Sequence, residues 1–282
     1  MLTTGASTGT STGTSTCTVV TCFYRFPSKH SDAEYDEWMA RFLRAVDTPM
    51  VIFCEAEMAP RLRALRERDQ QQQPIQTRVE VYPIVDNTCA AMVDWREQHA
   101  KDPERDTQAH SPALYMVWAS KSAFVGRAMA LNPFGTDAFA WCDIGCFRSD
   151  LNLGCFRRWP EGARLDALDP TRMVLECITP FQESDLVLDP GSGLPPSFAG
   201  QTRIAGAIMV GHRPAWERWI PAFYSTLQRM VANGQFVGVD QNVMAAVAVT
   251  RPDIVTIVTP SFLPQHGDPW FFLQPWFSAV IS

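Results

Sequence analysis

Residues 138–148, Ala-Phe-Ala-Trp-Cys-Asp-Ile-Gly-Cys-Phe-Arg, bring an acid, a glycine and a base close together at the end of a short apolar run. Open α/β sheets bind ligands outside the carboxyl ends of their strands, and Asp143 stands at such an end. There it can hold a divalent cation, with Gly145 allowing a close backbone approach and Arg148 free to meet a phosphate. A diphosphate fits that set, because a cation neutralises its charge. The same residues also suit an Asp-capped turn with a glycine at positive φ and a solvated arginine.

Three further positions bear on the same chemistry. Gly206 interrupts the apolar run Ile204 to Gly211, and a glycine inside a strand marks close approach of a ligand or of another backbone. Asp240-Gln241 opens a helix, where an aspartate can contact hydroxyls, act as a base or simply cap the helix. His266 is a lone histidine in the aromatic tail that runs to Phe277. Its imidazole can ligate the cation that Asp143 begins to hold, or serve a structural purpose. Lys121 lies mid-helix, either on a solvated face or within reach of a phosphate.

The elements that must position these residues can be read from periodicity. Thr18 to Phe26 is β-rich, and Ser31-x-x-Glu34 is a capping-box pattern for a helix carrying Tyr35, Trp38, Met39, Phe42, Leu43 and Val46. Met50 to Cys54 is a second strand. Pro60 opens a helix through about Asp69, and Thr77 to Val85 is a third strand. A short helix is expected around Cys89 to His99. Ser111-Pro112 reads as the cap and first residue of a long helix ending at Asn132-Pro133, before the strand Ala138 to Cys142. This β-α-β order implies four parallel strands with right-handed crossovers. Later strands are expected at Arg172 to Thr179, Ile204 to Gly211 and Asp253 to Val258. A Pro/Gly/Ser-rich loop, 180–202, separates the first two, and a loop that long is often functional. Pro214 starts a helix that Asn233-Gly234 terminates.

Composition narrows the class. The 282 residues are 46% hydrophobic and 19% charged, enough for a sizeable core. A net charge of −6 with no basic block argues against nucleic-acid binding. The 8 cysteines form no Cys-x-x-Cys pair, so reduced thiols and a cytoplasmic location are expected. No apolar run approaches a membrane span. Residues 1–16 are a Ser/Thr/Gly tract, read as a disordered leader without a signal peptide, and 17–282 as one domain. There is no Gly-x-x-x-x-Gly-Lys-Ser/Thr loop, no Gly-x-Ser-x-Gly elbow and no Gly-x-Gly-x-x-Gly after the first strand. P-loop, α/β-hydrolase and dinucleotide-binding chemistries are therefore disfavoured.

Taken together, Tyr35-x-x-Trp38, Trp118-x-x-Lys121, Trp141-x-Asp143-x-Gly145-x-x-Arg148, Ile204-x-Gly206 and Gly238-x-Asp240-Gln241 resemble the HtrL/YibB family along nearly the whole chain after the leader. Members of that family resemble glycosyltransferases of the GT-A type. The resemblance implies a mostly parallel central sheet flanked by helices, and a UDP- or GDP-sugar donor with a glycan or small-molecule acceptor. It implies a nucleobase held by the first strand through Thr21, Phe23, Tyr24 and Arg25, with Lys121, Asp143, Gly145, Arg148 and Gly206 along the rest of the donor. It further implies Mn²⁺ or Mg²⁺ on Asp143 and His266, and Asp240 with Gln241 at the sugar and acceptor. The Asp-x-Asp motif of such enzymes is matched here by Asp143-Ile144-Gly145, which lacks the second acid. A nucleotidyltransferase and a non-catalytic glycan- or protein-binding relative are the alternatives.

Overall fold

The computed structural model describes residues 16–67, 75–150, 153–260 and 268–278. Residues 1–15 of the leader, the Gln70 to Gln73 tract and His266 lie outside the described residues. In chain order the elements are β1 (Cys17–Phe23), α1 (Asp32–Ala45), β2 (Met50–Cys54), α2 (Ala59–Arg66), β3 (Thr77–Val81), α3 (Trp95–Lys101), α4 (Pro112–Leu131), β4 (Ala138–Cys142), α5 (Gly162–Asp166), β5 (Met173–Cys177), β6 (Ile204–His212), α6 (Arg213–Ala232), α7 (Asp240–Thr250), β7 (Val255–Val258) and α8 (Leu273–Trp276).

The strands form one seven-stranded sheet in the order β3-β2-β1-β4-β6-β5-β7. Its first four members run parallel, as the β-α-β reading requires. β6 runs antiparallel to both of its neighbours, and β7 is again parallel to β5. Six strands therefore share one direction and β6 alone opposes them, so the fold is α/β with a mostly parallel sheet. β1, β2 and β4 are buried along their whole length, as expected of strands covered on both faces. On one face, alternate residues such as Val19, Ile52 and Ala140 meet Met39, Phe42 and Leu43 of α1 and Leu62 of α2. On the other, Val20, Phe53 and Trp141 meet Phe124 of α4, Trp219 of α6 and Val243 of α7.

Local chemistry sets the helix ends. Ser31 and Glu34 make the expected capping box, and Ser111 caps α4 by accepting from the Leu114 amide. Asn132 ends α4 at φ +32°, a left-handed conformation that asparagine tolerates. Several elements are shorter than predicted. β1 ends at Phe23, where the register leaves it opposite Cys54, the last residue of β2. β3 stops at Val81, just before Pro83, which has no N–H to give a ladder. The expected helix over Cys89 to His99 splits, because Asp94 caps a new helix through the Arg96 and Glu97 amides. β7 begins at Val255, after a 3-10 turn over Pro252–Ile254. The loop 180–202 packs Leu194 and Phe198 into the core. Arg203 donates to the buried Asp185 at 2.8 Å and pins it.

Candidate active site

The antiparallel pairing of β4 and β6 builds the centre of the site. It sets the carboxyl end of β4 beside the first half of β6, with Cys142 opposite Ile208. The Asp143 amide then donates to the Ala207 carbonyl at 2.8 Å and carries the ladder one step further. Asp143 and Trp141 share one face of the strand, because strand side chains alternate. The Trp141 indole Nε1 donates to Asp143 Oδ1 at 2.7 Å.

Above this corner lies Lys121, in the middle of α4 and only 3% exposed. Its Nζ is 3.2 Å from each Asp143 oxygen, 3.0 Å from Asp240 Oδ2 and 2.8 Å from the Gly206 carbonyl. An ammonium has three protons to donate. Two of them go to Asp143 Oδ2 and the Gly206 carbonyl, while Asp240 Oδ2 stands at ion-pair distance without a hydrogen bond. Burial disfavours the charge on Lys121, but Asp143 and Asp240 outweigh it and raise the ammonium above its ordinary range. Burial raises the Asp240 carboxyl, partly offset by Lys121 and reinforced by Asp143. Gly206 is glycine for a steric reason. A Cβ there would lie 2.8 Å from Asp240 Oδ2.

A cleft of about 510 Å³ opens over this cluster, within the size range of small-molecule sites. Lys121, Asp143, Arg148, Gly206, Asp240 and Gln241 all line it. It continues into a more apolar recess at the end of β1, walled by Phe23, Tyr24, Arg25, Phe26, Val117 and Gly145. Trp118, Tyr35, Asp143 and Phe271 border both parts. Arg148 stands at the junction, its guanidinium 4.5 Å from the Trp38 ring centre and 5.0 Å from that of Phe271. Its Nε donates to the Gly145 carbonyl at 3.2 Å. Arg25 lies within 3.6 Å of Asp32 and 3.8 Å of Asp36.

The structure thus brings together ten of the twelve residues singled out in the sequence. Thr21 stands apart. It is fully buried in mid-β1 on the face shared by Val19 and Phe23, and it lines neither part of the cleft. It has no contact surface to offer a nucleobase. His266 lies outside the described residues. Lys121 differs from expectation in kind, since it is neither on a solvated face nor open to a phosphate. It clamps two carboxylates.

The fit of a divalent cation can be judged at Asp143. Its side chain remains 34% exposed to the cleft, and two donors orient it, as metal-ligating carboxylates usually are. Two carboxyl groups share the one ammonium. A hard cation that takes one carboxylate and completes its shell with water and substrate phosphate fits that arrangement. Among the described residues no three metal-capable side chains converge.

Sequence reasoning missed the far wall of the cleft. His30, Gln108 and His110 face it there. Burial and the neighbouring Arg148 push the His30 imidazole below its ordinary range. None of these residues sits in a recognisable spacing, and only folding brings their loops to the mouth. The i, i+2 spacing of Trp141 and Asp143 was a legible signal for the indole bond.

No curated protein matches the sequence. The fold is similar to the crystal structure of mouse xyloside xylosyltransferase 1, apo form. The identity is 12%, over 85% of this chain and 84% of that one, and the TM-score is 0.46. Residues 23–279 match the family described as "Bacterial protein of unknown function (HtrL_YibB)", a span that holds the whole carboxylate–lysine cluster, and the chain belongs to that family.

Proposed function

We propose that this protein is a glycosyltransferase that moves a sugar from a nucleotide-diphosphate sugar of the UDP or GDP type to a hydroxyl acceptor. One observation carries the reading. A single cleft joins an aromatic recess at the end of β1 to a carboxylate–lysine cluster at the end of β4, with Arg148 between them. A nucleobase needs flat apolar walls with a few polar edges, and Phe23, Tyr24 and Phe26 supply the walls. A diphosphate needs positive charge, and Arg148 supplies it in a fork suited to phosphate oxygens. Gly206 lines the cleft where a sugar would lie. Asp240 and Gln241, at the start of α7, face the sugar. Asp240, clamped by Lys121, serves as its positioning group.

Asp143 would hold Mn²⁺ or Mg²⁺, with His266 as the further ligand. A bound cation stabilises the negative charge of a departing diphosphate. The protein's own part is to keep Asp143 aimed, through Trp141 and Lys121.

The test is a thermal-shift screen against UDP, GDP, CDP and their sugars, each with and without Mn²⁺. A ligand at 100 times its dissociation constant adds about 2.7 kcal/mol to a native state that alone binds it. The expected result is stabilisation by one nucleotide type, dependent on metal and lost in Asp143→Ala. Products then separate the chemistries, since from the same donor nucleoside diphosphate release marks glycosyl transfer and sugar-1-phosphate release marks nucleotidyl transfer. No shift with any nucleotide would overturn the reading in favour of a non-catalytic binding protein.

A further inference from the structure

The loop before α4 holds one imidazole with unusual thoroughness. Asp102 is 5% exposed, and its Oδ2 accepts from His110 Nδ1 at 2.7 Å and from the Tyr115 hydroxyl. Asp102 Oδ1 accepts from the Glu104 amide at 2.8 Å. The His110 amide donates to the Arg105 carbonyl at 2.9 Å, and His99 Nε2 bonds the His110 carbonyl at 3.1 Å. The ring meets Trp118 edge-on at 5.0 Å between centres. The preceding residue, Ala109, is held at φ +51°, a left-handed conformation costly for alanine. Burial alone would raise the Asp102 carboxyl, but the bonds from Tyr115, His110 and Glu104 keep it below the usual range, so it is anionic.

A carboxylate can only accept. Nδ1 of His110 is therefore the protonated nitrogen, and in the neutral ring Nε2 carries the free lone pair. With Nδ1 turned to Asp102, Nε2 lies at the opposite edge of a ring that lines the cleft. Three other titratable groups that line the cleft stand against charged partners. Asp143 and Asp240 both face Lys121, and His30 Nδ1 lies 3.6 Å from Glu34. A carboxylate that orients an imidazole and stabilises its protonated form is the arrangement general bases use.

We infer that His110 is the proton acceptor for the incoming hydroxyl, an inference that rests on the glycosyl-transfer reading above. The acceptor oxygen bonds to the anomeric carbon as the bond from that carbon to the diphosphate oxygen breaks, and the diphosphate leaves with the electron pair. The hydroxyl proton passes to His110 Nε2. The imidazolium that results keeps its Nδ1–H on Asp102.

The test uses the full chain with UDP-glucose, UDP-N-acetylglucosamine and GDP-mannose, with water as the hydroxyl acceptor and nucleoside diphosphate release as the readout. His110→Ala is expected to lower the rate by about 10²- to 10⁴-fold, to leave nucleotide stabilisation intact and to recover part of the rate with added imidazole. His110→Gln, which can bond a hydroxyl but cannot take its proton, should bind nucleotide and stay slow. An unchanged rate in His110→Ala, a loss that imidazole does not restore, or a loss of nucleotide stabilisation in both variants would overturn the assignment and leave His110 as a brace for its loop. Failure of the transfer reading is visible separately. The wild-type protein would then release no nucleoside diphosphate from any donor, and the inference about His110 would fall with it.

Discussion

Lys121 shows how burial changes what a residue can do. On the surface, a lysine between two aspartates would add little to stability. Here the ammonium is 3% exposed and touches both carboxylates and a carbonyl. Removing one partner of such a cluster leaves charges buried without compensation. Lys121→Met should therefore lower unfolding free energy by about 3–5 kcal/mol, measured by urea denaturation. A small loss of stability with a large loss of nucleotide affinity would instead return Lys121 to the phosphate-binding role expected of it from sequence. The Trp141 indole is the second constraint on Asp143, and it comes from a spacing of two along a strand.

At the scale of elements, the C-terminal segment is held by a buried carboxyl group inside the sheet. Glu176 of β5 is 1% exposed and accepts from the Phe272 and Leu273 amides at 3.3 and 3.4 Å. Those residues lead into α8 and follow Trp270 and Phe271, which wall the cleft. Burial lifts the Glu176 carboxyl from 4.5 to about 8, against the pull of the two amides. The folded state thus holds a proton that the unfolded chain releases. The stabilising contribution is complete below about pH 4.5 and is lost as pH rises through about 8. Glu176→Gln removes this titration. Its stability relative to the wild type should climb between those two values and level off above them, which denaturation across a pH series will show. A constant difference between the two proteins at every pH would mean that Glu176 does not titrate there.

The whole molecule seals its thiols. Of its 8 cysteines, Cys155 alone is not buried, and none is paired. Burial raises the Cys17, Cys54 and Cys146 thiols among others, which keeps them as unreactive thiols. A thiol reagent such as DTNB should titrate about one group rapidly in the native protein, and all eight after denaturation. Several fast groups in the native state would mean that the sheet opens readily. No helix among the described residues is long and apolar enough to cross a membrane.

Much of this architecture was legible in the chain itself. Continuous apolar runs marked β1, β2 and β4, because strands covered on both faces need no polar alternation. Ser31 with Glu34, and Ser111 with Pro112, marked two helix starts, because caps act through backbone groups a few residues away. Asp143, Gly145, Arg148, Gly206 and Asp240 were legible because an acid, a base or a glycine that ends or breaks an apolar run has few reasons to be there. Partnership was not legible. The direction of β6 brings Gly206 and Asp143 together, and the depth of α4 turns Lys121 from a surface cation into a clamp. Thr21 was misplaced because alternation names two faces without saying which one a ligand meets. The Asp102–His110 pair was invisible, since seven residues separate its members and only the turn through Ala109 closes that gap. Propensity and capping act over a few residues and can be read along the chain. Charge pairing and burial act through space, and they exist only once the sheet has been assembled.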